Sequence, residues 1–267
     1  MIQYKTGYRS DPLGYRRNPW RLLGANKGLL LEAKALPSFS MCGNMPQVYD
    51  QGQTSSCTGH ASSAAIKSCL GTQISFYPSA WLNYTNGRCM ARIDYETLNT
   101  RLTDDGCEPN QVFRGINAWG IRAMNYPTSD GRISDCELST INHEPTETDE
   151  EEASYDVLIG EYGITSKGSV RGLSVRQAVA GGYPVCLAVA GGSNAFQMYQ
   201  AGQILSATSE SLDHYVCLYG YRERVDNSYI YRIRNSWGDW GENGDCWVDD
   251  SFLQECSDLV VCEVAFK

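Results

Sequence analysis

Hydrophobic and polar positions change their spacing about halfway along the chain. In the first half, Ala61, Ala65 and Cys69 recur every four residues and predict a helix over Cys57–Leu70. In the second half, short runs rich in β-branched and aromatic residues alternate with turn residues. These runs predict strands over 183–190, 214–223, 228–237, 244–250 and 259–266. Helices followed by strands are typical of an α+β fold with two lobes and a cleft between them.

Three further helices follow from the same patterns. Residues 77–88 predict one, with Pro78 near its first turn. Residues 109–124 predict another, with Asn110 as its N-cap, and a short helix is expected to begin at Ser174 and to stop at Gly181.

Composition excludes several classes of protein. With 42% hydrophobic and 20% charged residues, the chain is globular rather than disordered. A net charge of −9 argues against a nucleic-acid-binding face, and no apolar run approaches the length of a membrane span. Part of the negative charge lies in residues 144–152, which we interpret as a solvated loop, because the ligand spacing of a calcium loop is lacking. Three histidines and no C-x-x-C motif predict neither a metal nor a cofactor.

The chain contains eleven cysteines, an odd number. If ten form disulfide bonds, one remains as a reactive thiol. This density hints at an oxidising or extracellular location, including a virus particle, although the N-terminus has no apolar core of signal-peptide type. The location is therefore left open. Cys186 and Cys217, inside apolar strands, are equally compatible with buried free thiols.

Cys57 is the candidate nucleophile, because the N-terminus of a helix lowers the pKa of a thiol. A protonated histidine does the same, and the candidates are His60, His143 and His214. His60 shares a helical turn with Cys57 and leaves little room for a substrate, and His143 lies in the acidic run. His214 begins a predicted strand, from which its side chain can project into a cleft.

A catalytic imidazole needs an acceptor that orients its other nitrogen. Asn235, at the end of the next predicted strand, can reach His214 if the two strands are neighbours. Trp237 is then close enough to shield their hydrogen bond from water, which strengthens it.

Three segments together resemble the papain-like cysteine peptidases. They are "VYDQGQTSSCTGHA", which is similar to the family's Q-G-x-x-x-C-x-x-A segment, "LDHYVCLYGY" and "IRNSWGDWGENG". The order Cys, His, Asn also agrees, although both partners lie farther from Cys57 than the usual distance of about 130–150 residues. The form C-T-x-x-A is closer to bacterial and viral members than to plant or lysosomal ones.

The resemblance implies a two-lobe fold, with a helical left lobe, an antiparallel, barrel-like right lobe and the active site between them. It implies that Cys57 is the nucleophile, His214 the general base and then general acid, and Asn235 the orienting residue. Gln51 would stabilise an oxyanion together with the backbone N–H of Cys57. Residues expected to line the substrate groove are Ser55, Ser56, Asp213, Trp237 and Trp240.

The sequence departs from the family's C-G-S-C-W pattern at three positions. Thr54 replaces a cysteine, so the usual disulfide cannot form there, Ser55 replaces a glycine, and Thr58 replaces a tryptophan. Since none of these changes removes a catalytic group, we expect an active enzyme.

The expected organisation is a peptidase domain over residues 41–267, preceded by an extension over residues 1–40. This extension either crosses and inhibits the cleft or packs on the surface as a strap. The predicted function is a thiol endopeptidase that acts on peptides or proteins. The alternatives are an amide hydrolase or transferase for non-peptide substrates and a retired enzyme with a structural or binding role.

Overall fold

The computed structural model describes residues 5–8, 36–152, 155, 157–164 and 166–266. The helices of this part are α1 (Cys57–Leu70), α2 (Ala80–Asp94), α3 (Pro109–Trp119), α4 (Glu147–Glu152), α5 (Gly168–Ala180), α6 (Asn194–Gln197), α7 (Trp240–Asn243) and α8 (Asp250–Glu255), with a 3₁₀ turn over Gly71–Gln73. The strands are β1 (Phe39–Met41), β2 (Val157–Gly163), β3 (Val185–Val189), β4 (His214–Glu223), β5 (Tyr229–Arg234), β6 (Asp245–Asp249) and β7 (Ser257–Phe266).

The chain folds into a helical lobe and a sheet lobe, as the sequence predicts. Helices α1, α2 and α3 surround one hydrophobic core, and a second core lies between the sheet and helices α5 and α8. The sheet has the strand order β2-β7-β3-β4-β5-β6, with β1 added on β4, and the paired strands are antiparallel. The predicted α+β, two-lobe architecture is confirmed.

Helix α1 packs against both lobes, and its small residues allow close contact with each of them. A Cβ added at Gly59 would lie 2.4 Å from the Ala80 carbonyl oxygen, so only glycine lets α1 approach α2 this closely. On its other side α1 packs against β4 and β7. The N-terminus of α1 therefore lies beside the first residues of β4, at the boundary between the lobes.

Several helix ends differ from the predictions. Helix α2 begins at Ala80, because the Ser79 hydroxyl accepts a hydrogen bond from the Leu82 N–H and caps the helix there. Helix α3 begins with Pro109 in its first turn, which places Asn110 inside the helix; the prediction that Asn110 is the N-cap is wrong. Helix α5 begins at Gly168, six residues before the predicted start at Ser174.

The acidic run contains helix α4, so the prediction of a loop throughout is wrong. The Thr146 hydroxyl accepts from the Asp149 N–H at 3.2 Å, and the Asp149 carboxylate accepts from the Thr146 N–H at 2.8 Å. This reciprocal pair is a capping box, which stabilises the first turn of a helix.

The described residues include all eleven cysteines, and each of them is a free thiol. The sulfur atoms of Cys186 and Cys262, for example, are 3.8 Å apart, far beyond the length of about 2.05 Å of a disulfide bond. The expectation of disulfide bonds is therefore not met: most of the thiols pack in the cores as small hydrophobic side chains. Within the described residues no helix is long and apolar enough to cross a membrane.

Candidate active site

Cys57 is the first residue of α1, and its thiol is fully buried. Backbone N–H groups of Tyr215, Gly7 and Thr58 approach the sulfur and lower the pKa of the thiol. Burial has the larger effect and raises the pKa of Cys57 to about 12. In this closed arrangement the thiol is protonated at neutral pH.

His214, the first residue of β4, is hydrogen-bonded to Asn235, which follows the last residue of β5. The His214 Nε2 atom lies 2.7 Å from the Asn235 Oδ1 atom, and both side chains are buried. Because an amide oxygen only accepts, the proton lies on Nε2, and Nδ1 carries the lone pair. This Nδ1 atom is buried and has no hydrogen-bond partner among the described residues. Burial lowers the pKa of His214 to about 4, and the bond to Asn235 opposes this effect.

Aromatic rings enclose the pair of His214 and Asn235. The Trp237 ring is stacked on the imidazole with a centroid distance of 4.6 Å, and Phe196 meets Trp237 edge-on at 5.5 Å. Trp240 stacks behind Phe196 at 4.7 Å, and its Nε1–H donates to the Phe196 carbonyl oxygen. The rings keep water from the imidazole and fix its plane.

Gln51 is fully buried, and the strand end that carries Asn235 holds it in place. Its Oε1 atom accepts from the Ser236 hydroxyl at 2.6 Å, and its backbone N–H donates to the Ser236 carbonyl oxygen at 2.8 Å. Its Nε2 atom donates to the Thr54 carbonyl oxygen at 2.8 Å and to the Lys5 carbonyl oxygen at 3.2 Å. The side-chain amide is therefore fixed with one donor directed at a carbonyl group in the groove.

The groove is occupied by residues 5–8, which we call the cleft segment. The Tyr8 N–H donates to the Asp213 carbonyl oxygen at 3.0 Å, and the Gly7 carbonyl oxygen accepts from the Cys107 N–H at 3.1 Å. Lys5 forms an ion pair of 2.9 Å with Asp104. The cleft segment thus pairs with both walls of the groove.

The model of the papain family of cysteine proteases matches residues 39–258. The chain belongs to this family. It is 28% identical to the senescence-specific cysteine protease SAG12 of Arabidopsis thaliana over 208 residues, which cover 76% of this chain and 52% of that protein. It is 27% identical to vignain of Phaseolus vulgaris over 206 residues, with coverages of 76% and 50%. The chain thus spans about half the length of these curated relatives.

Solved structures of papain-family proteins share the fold over nearly the whole chain. Xylellain, a cysteine protease from the bacterium Xylella fastidiosa, has a TM-score of 0.70 and 21% sequence identity, covering 97% of this chain and 95% of that one. The stem bromelain precursor has a TM-score of 0.63 and 18% identity, covering 99% of this chain and 77% of the precursor. These likenesses confirm the predicted papain-like fold.

The two other histidines, His60 and His143, lie outside the group formed by His214, Asn235 and the surrounding aromatic rings. His60 is buried, with Nδ1 2.9 Å from the Ser56 carbonyl oxygen and Nε2 3.0 Å from the Ser134 hydroxyl. Both ring nitrogens are thus bonded within the helical lobe, and burial lowers the pKa of His60 to about 4. His143 is exposed, as the sequence predicts.

Only some of the residues predicted to line the groove lie next to the cleft segment. Ser55 lies under the cleft segment, and Asp213 lies beside it, with its carboxylate 3.4 Å from the Thr6 hydroxyl. The Ser56 hydroxyl instead contacts Thr54 and His60 inside the helical lobe. The two tryptophans form the wall around His214 described above.

Sequence reasoning missed three residues that position the site: Asp104, Ser236 and Tyr215. Asp104 accepts from the Ser55 N–H at 2.9 Å and also binds Lys5, but it lies in a turn with no recognisable motif. Ser236 directly follows Asn235, and Tyr215 directly follows His214. Their positions within the two quoted segments could therefore have indicated that they lie at the site.

Proposed function

We propose that this chain is a cysteine endopeptidase that hydrolyses peptide bonds through a thioester acyl-enzyme. The observation that carries the proposal is the state of His214: Asn235 holds Nε2, while Nδ1 is buried, unpaired among the described residues and free to take a proton. The backbone N–H of Tyr215, the residue next to His214, lowers the pKa of the Cys57 thiol. These observations support a site in which Cys57 is the nucleophile, His214 the base and Asn235 the orienting group.

In the proposed reaction the Cys57 thiol transfers its proton to His214 Nδ1, and the sulfur attacks the peptide carbonyl carbon. The carbonyl π electrons move to oxygen, then return as the C–N bond breaks, and Nδ1 gives its proton to the leaving amine. Water next attacks the thioester and loses a proton to Nδ1. The C–S bond breaks, the acid product leaves, and the thiol recovers its proton.

The same proposal assigns the developing oxyanion to Gln51 Nε2 and the backbone N–H of Cys57. The present bond from Nε2 to the Lys5 carbonyl oxygen supports this role, because it places the donor beside a peptide carbonyl group in the groove. Ser236 holds the amide in position before substrate binds, so little reorganisation is needed during the reaction.

We also propose that the extension over residues 1–40 inhibits the domain over residues 41–267. Only residues 5–8 and 36–40 of the extension are described. The fully buried thiol of Cys57 beneath Gly7 supports inhibition rather than a strap elsewhere on the surface. Strand β1 begins at Phe39, two residues before the proposed domain boundary.

The test of the proposed function is hydrolysis of a fluorescently quenched protein substrate by the full chain carrying Gly7→Val, a change that we expect to open the groove. Adding Cys57→Ala should abolish hydrolysis. Adding Cys89→Ala, at a partly buried thiol in the helical lobe, should leave it unchanged and serves as the matched control. Equal hydrolysis with and without Cys57 would overturn the assignment. Absence of hydrolysis from a chain whose Cys57 reacts readily with a thiol-directed epoxide would favour a retired enzyme.

A further inference from the structure

A buried row of polar side chains connects the helical lobe to the loop that carries Gln51. The His60 Nε2 atom lies 3.0 Å from the Ser134 hydroxyl, and the Nδ1 atom lies 3.1 Å from the Ser56 hydroxyl. The Ser56 and Thr54 hydroxyls are 2.6 Å apart, and the Thr54 hydroxyl donates to the Gln51 carbonyl oxygen at 2.8 Å. At most 1% of each of these residues is exposed. We call Ser134, His60, Ser56 and Thr54 the anchoring network.

The acceptors in the anchoring network determine where each proton lies. A carbonyl oxygen only accepts, so the Thr54 hydroxyl proton is directed at Gln51, and Ser56 must donate to Thr54. The His60 Nδ1 atom lies 2.9 Å from the Ser56 carbonyl oxygen and therefore carries the ring proton of the neutral imidazole. The Nε2 atom then accepts from the Ser134 hydroxyl. Donation thus runs in one direction, from Ser134 to Gln51.

Thr54 fixes both the backbone and the side-chain amide of Gln51. The Thr54 N–H also donates to the Gln51 carbonyl oxygen, at 3.2 Å, and the Thr54 carbonyl oxygen accepts one N–H of the Gln51 side-chain amide at 2.8 Å. The Ser236 hydroxyl holds the Oε1 atom of the same amide. The other N–H is left for the groove, where it donates to the Lys5 carbonyl oxygen.

Three consecutive residues of the helical lobe hold this loop from both sides. The Asp50 N–H donates to the Ile133 carbonyl oxygen at 3.0 Å, and the Arg132 guanidinium donates to the Asp50 carbonyl oxygen at 2.6 Å. Ser134, the next residue, begins the anchoring network. Gln51 is therefore fixed through the residue before it and, through the anchoring network, at its own carbonyl group.

We propose that the anchoring network positions the Gln51 side-chain amide for the oxyanion, in place of the disulfide bond that the family's cysteine at the position of Thr54 would form. The proposal rests on the proposed function and makes Thr54, Ser56 and His60 positioning residues that act through Gln51. A buried hydrogen-bond network in which every member is satisfied makes the groups that it joins rigid. All eleven cysteines are free thiols, so hydrogen bonds supply the rigidity that a disulfide bond would give this loop.

Thr54→Val keeps the shape of the side chain and removes its hydroxyl. The Ser56 hydroxyl then loses its acceptor, and the Gln51 carbonyl oxygen loses one of its two donors from Thr54. Misplacing a positioned group by about 1 Å costs about 100-fold in rate, and losing an oxyanion donor altogether costs about 10²–10³ in kcat. We therefore expect kcat to fall by about 10-fold to 100-fold, with KM nearly constant.

The test compares hydrolysis of a quenched peptide by the full chain carrying Gly7→Val, the parent, with hydrolysis by the same chain after Thr54→Val is added. Thr54→Ser keeps the hydroxyl and should restore the kcat of the parent. Ser56→Ala interrupts the anchoring network one step farther from Gln51 and should also lower kcat, which provides a second variant if Thr54→Val does not fold. Ser62→Ala is the matched control, because this buried hydroxyl donates to the Gly59 carbonyl oxygen inside α1.

Two further measurements separate positioning from general damage. Iodoacetamide alkylates Cys57 without forming an oxyanion, so its rate should be the same in the parent and in every variant. Nitrogen NMR of the imidazoles in the full-length chain needs no substrate and should show His60 as the Nδ1–H tautomer. The other tautomer, an unchanged kcat in Thr54→Val, or a loss of alkylation as large as the loss of kcat would overturn the positioning role. A parent that hydrolyses no peptide but has the Nδ1–H tautomer would overturn the proposed function alone.

Discussion

Replacing Gly7 with valine is expected to expel the cleft segment and expose Cys57. A Cβ atom built on Gly7 lies 1.8 Å from the Ser55 carbonyl oxygen and 2.4 Å from the Ser55 carbonyl carbon. Both are backbone atoms, and Asp104 holds the Ser55 N–H, so Ser55 cannot move aside without breaking this bond. The remaining route is for residues 5–8 to leave the groove.

The size of the effect follows from the pKa of the thiol. Burial raises the pKa of Cys57 from its ordinary value of 9.0 to about 12. The thiolate is the reactive form, so at pH 8 its fraction is about one in ten thousand when the groove is closed and about one in ten when it is open. The rate of alkylation should therefore rise by about 1000-fold in Gly7→Val, before any gain from accessibility is counted.

The assay is alkylation by iodoacetamide at pH 8, with peptide mapping to follow each thiol separately. Gly43→Val is the matched control, because a Cβ at Gly43 has no atom within 4 Å. Cys89, which is partly buried, serves as the internal reference for general unfolding. If Gly7→Val and Gly43→Val label Cys57 at rates within a factor of three, the cleft segment does not protect the thiol and the proposed self-inhibition is refuted.

Three other predictions concern single side chains. In the opened enzyme, Asn235→Ala should lower kcat/KM by about 10²–10⁴ while leaving measurable hydrolysis, because His214 loses its orienting partner; an unchanged rate would exclude that role. Gln51→Ala should lower kcat by about 10²–10³ with KM nearly constant, and a change confined to KM would argue against oxyanion binding. His60→Gln tests stability in acid, measured by urea unfolding. Burial lowers the pKa of His60 from 6.5 in the unfolded chain to about 4 in the fold. The unfolded chain therefore binds the proton at a higher pH than the fold does, and the free energy of unfolding decreases as the pH falls below 6.5. Between pH 7 and pH 5 the wild type should lose about 2 kcal/mol more than the variant, and equal losses would contradict the burial of a neutral imidazole.

The sequence by itself determined the features that depend on local pattern. The helix over Cys57–Leu70 has the predicted bounds, since its small residues recur at helical spacing and loop residues precede it. The strand that begins at His214 and the segment around Asn235 were also predicted, because β-branched and aromatic runs end at clear turn residues. Cys57, His214 and Asn235 were proposed from the chemistry that a thiol nucleophile requires, and Gln51 was proposed from the resemblance of its segment to the papain-like cysteine peptidases.

Tertiary structure decided what depends on contacts between distant segments. The Tyr215 hydroxyl donates to the Asp258 carbonyl oxygen, 43 residues away, only because β3 pairs with both β4 and β7. The eleven thiols remain free because pairing requires sulfur atoms at bonding distance, which a count of cysteines cannot report. Four residues near the N-terminus lie over Cys57 because Gly7 has no Cβ to meet Ser55. Such packing constraints act across the whole fold and leave no periodic signal in the chain.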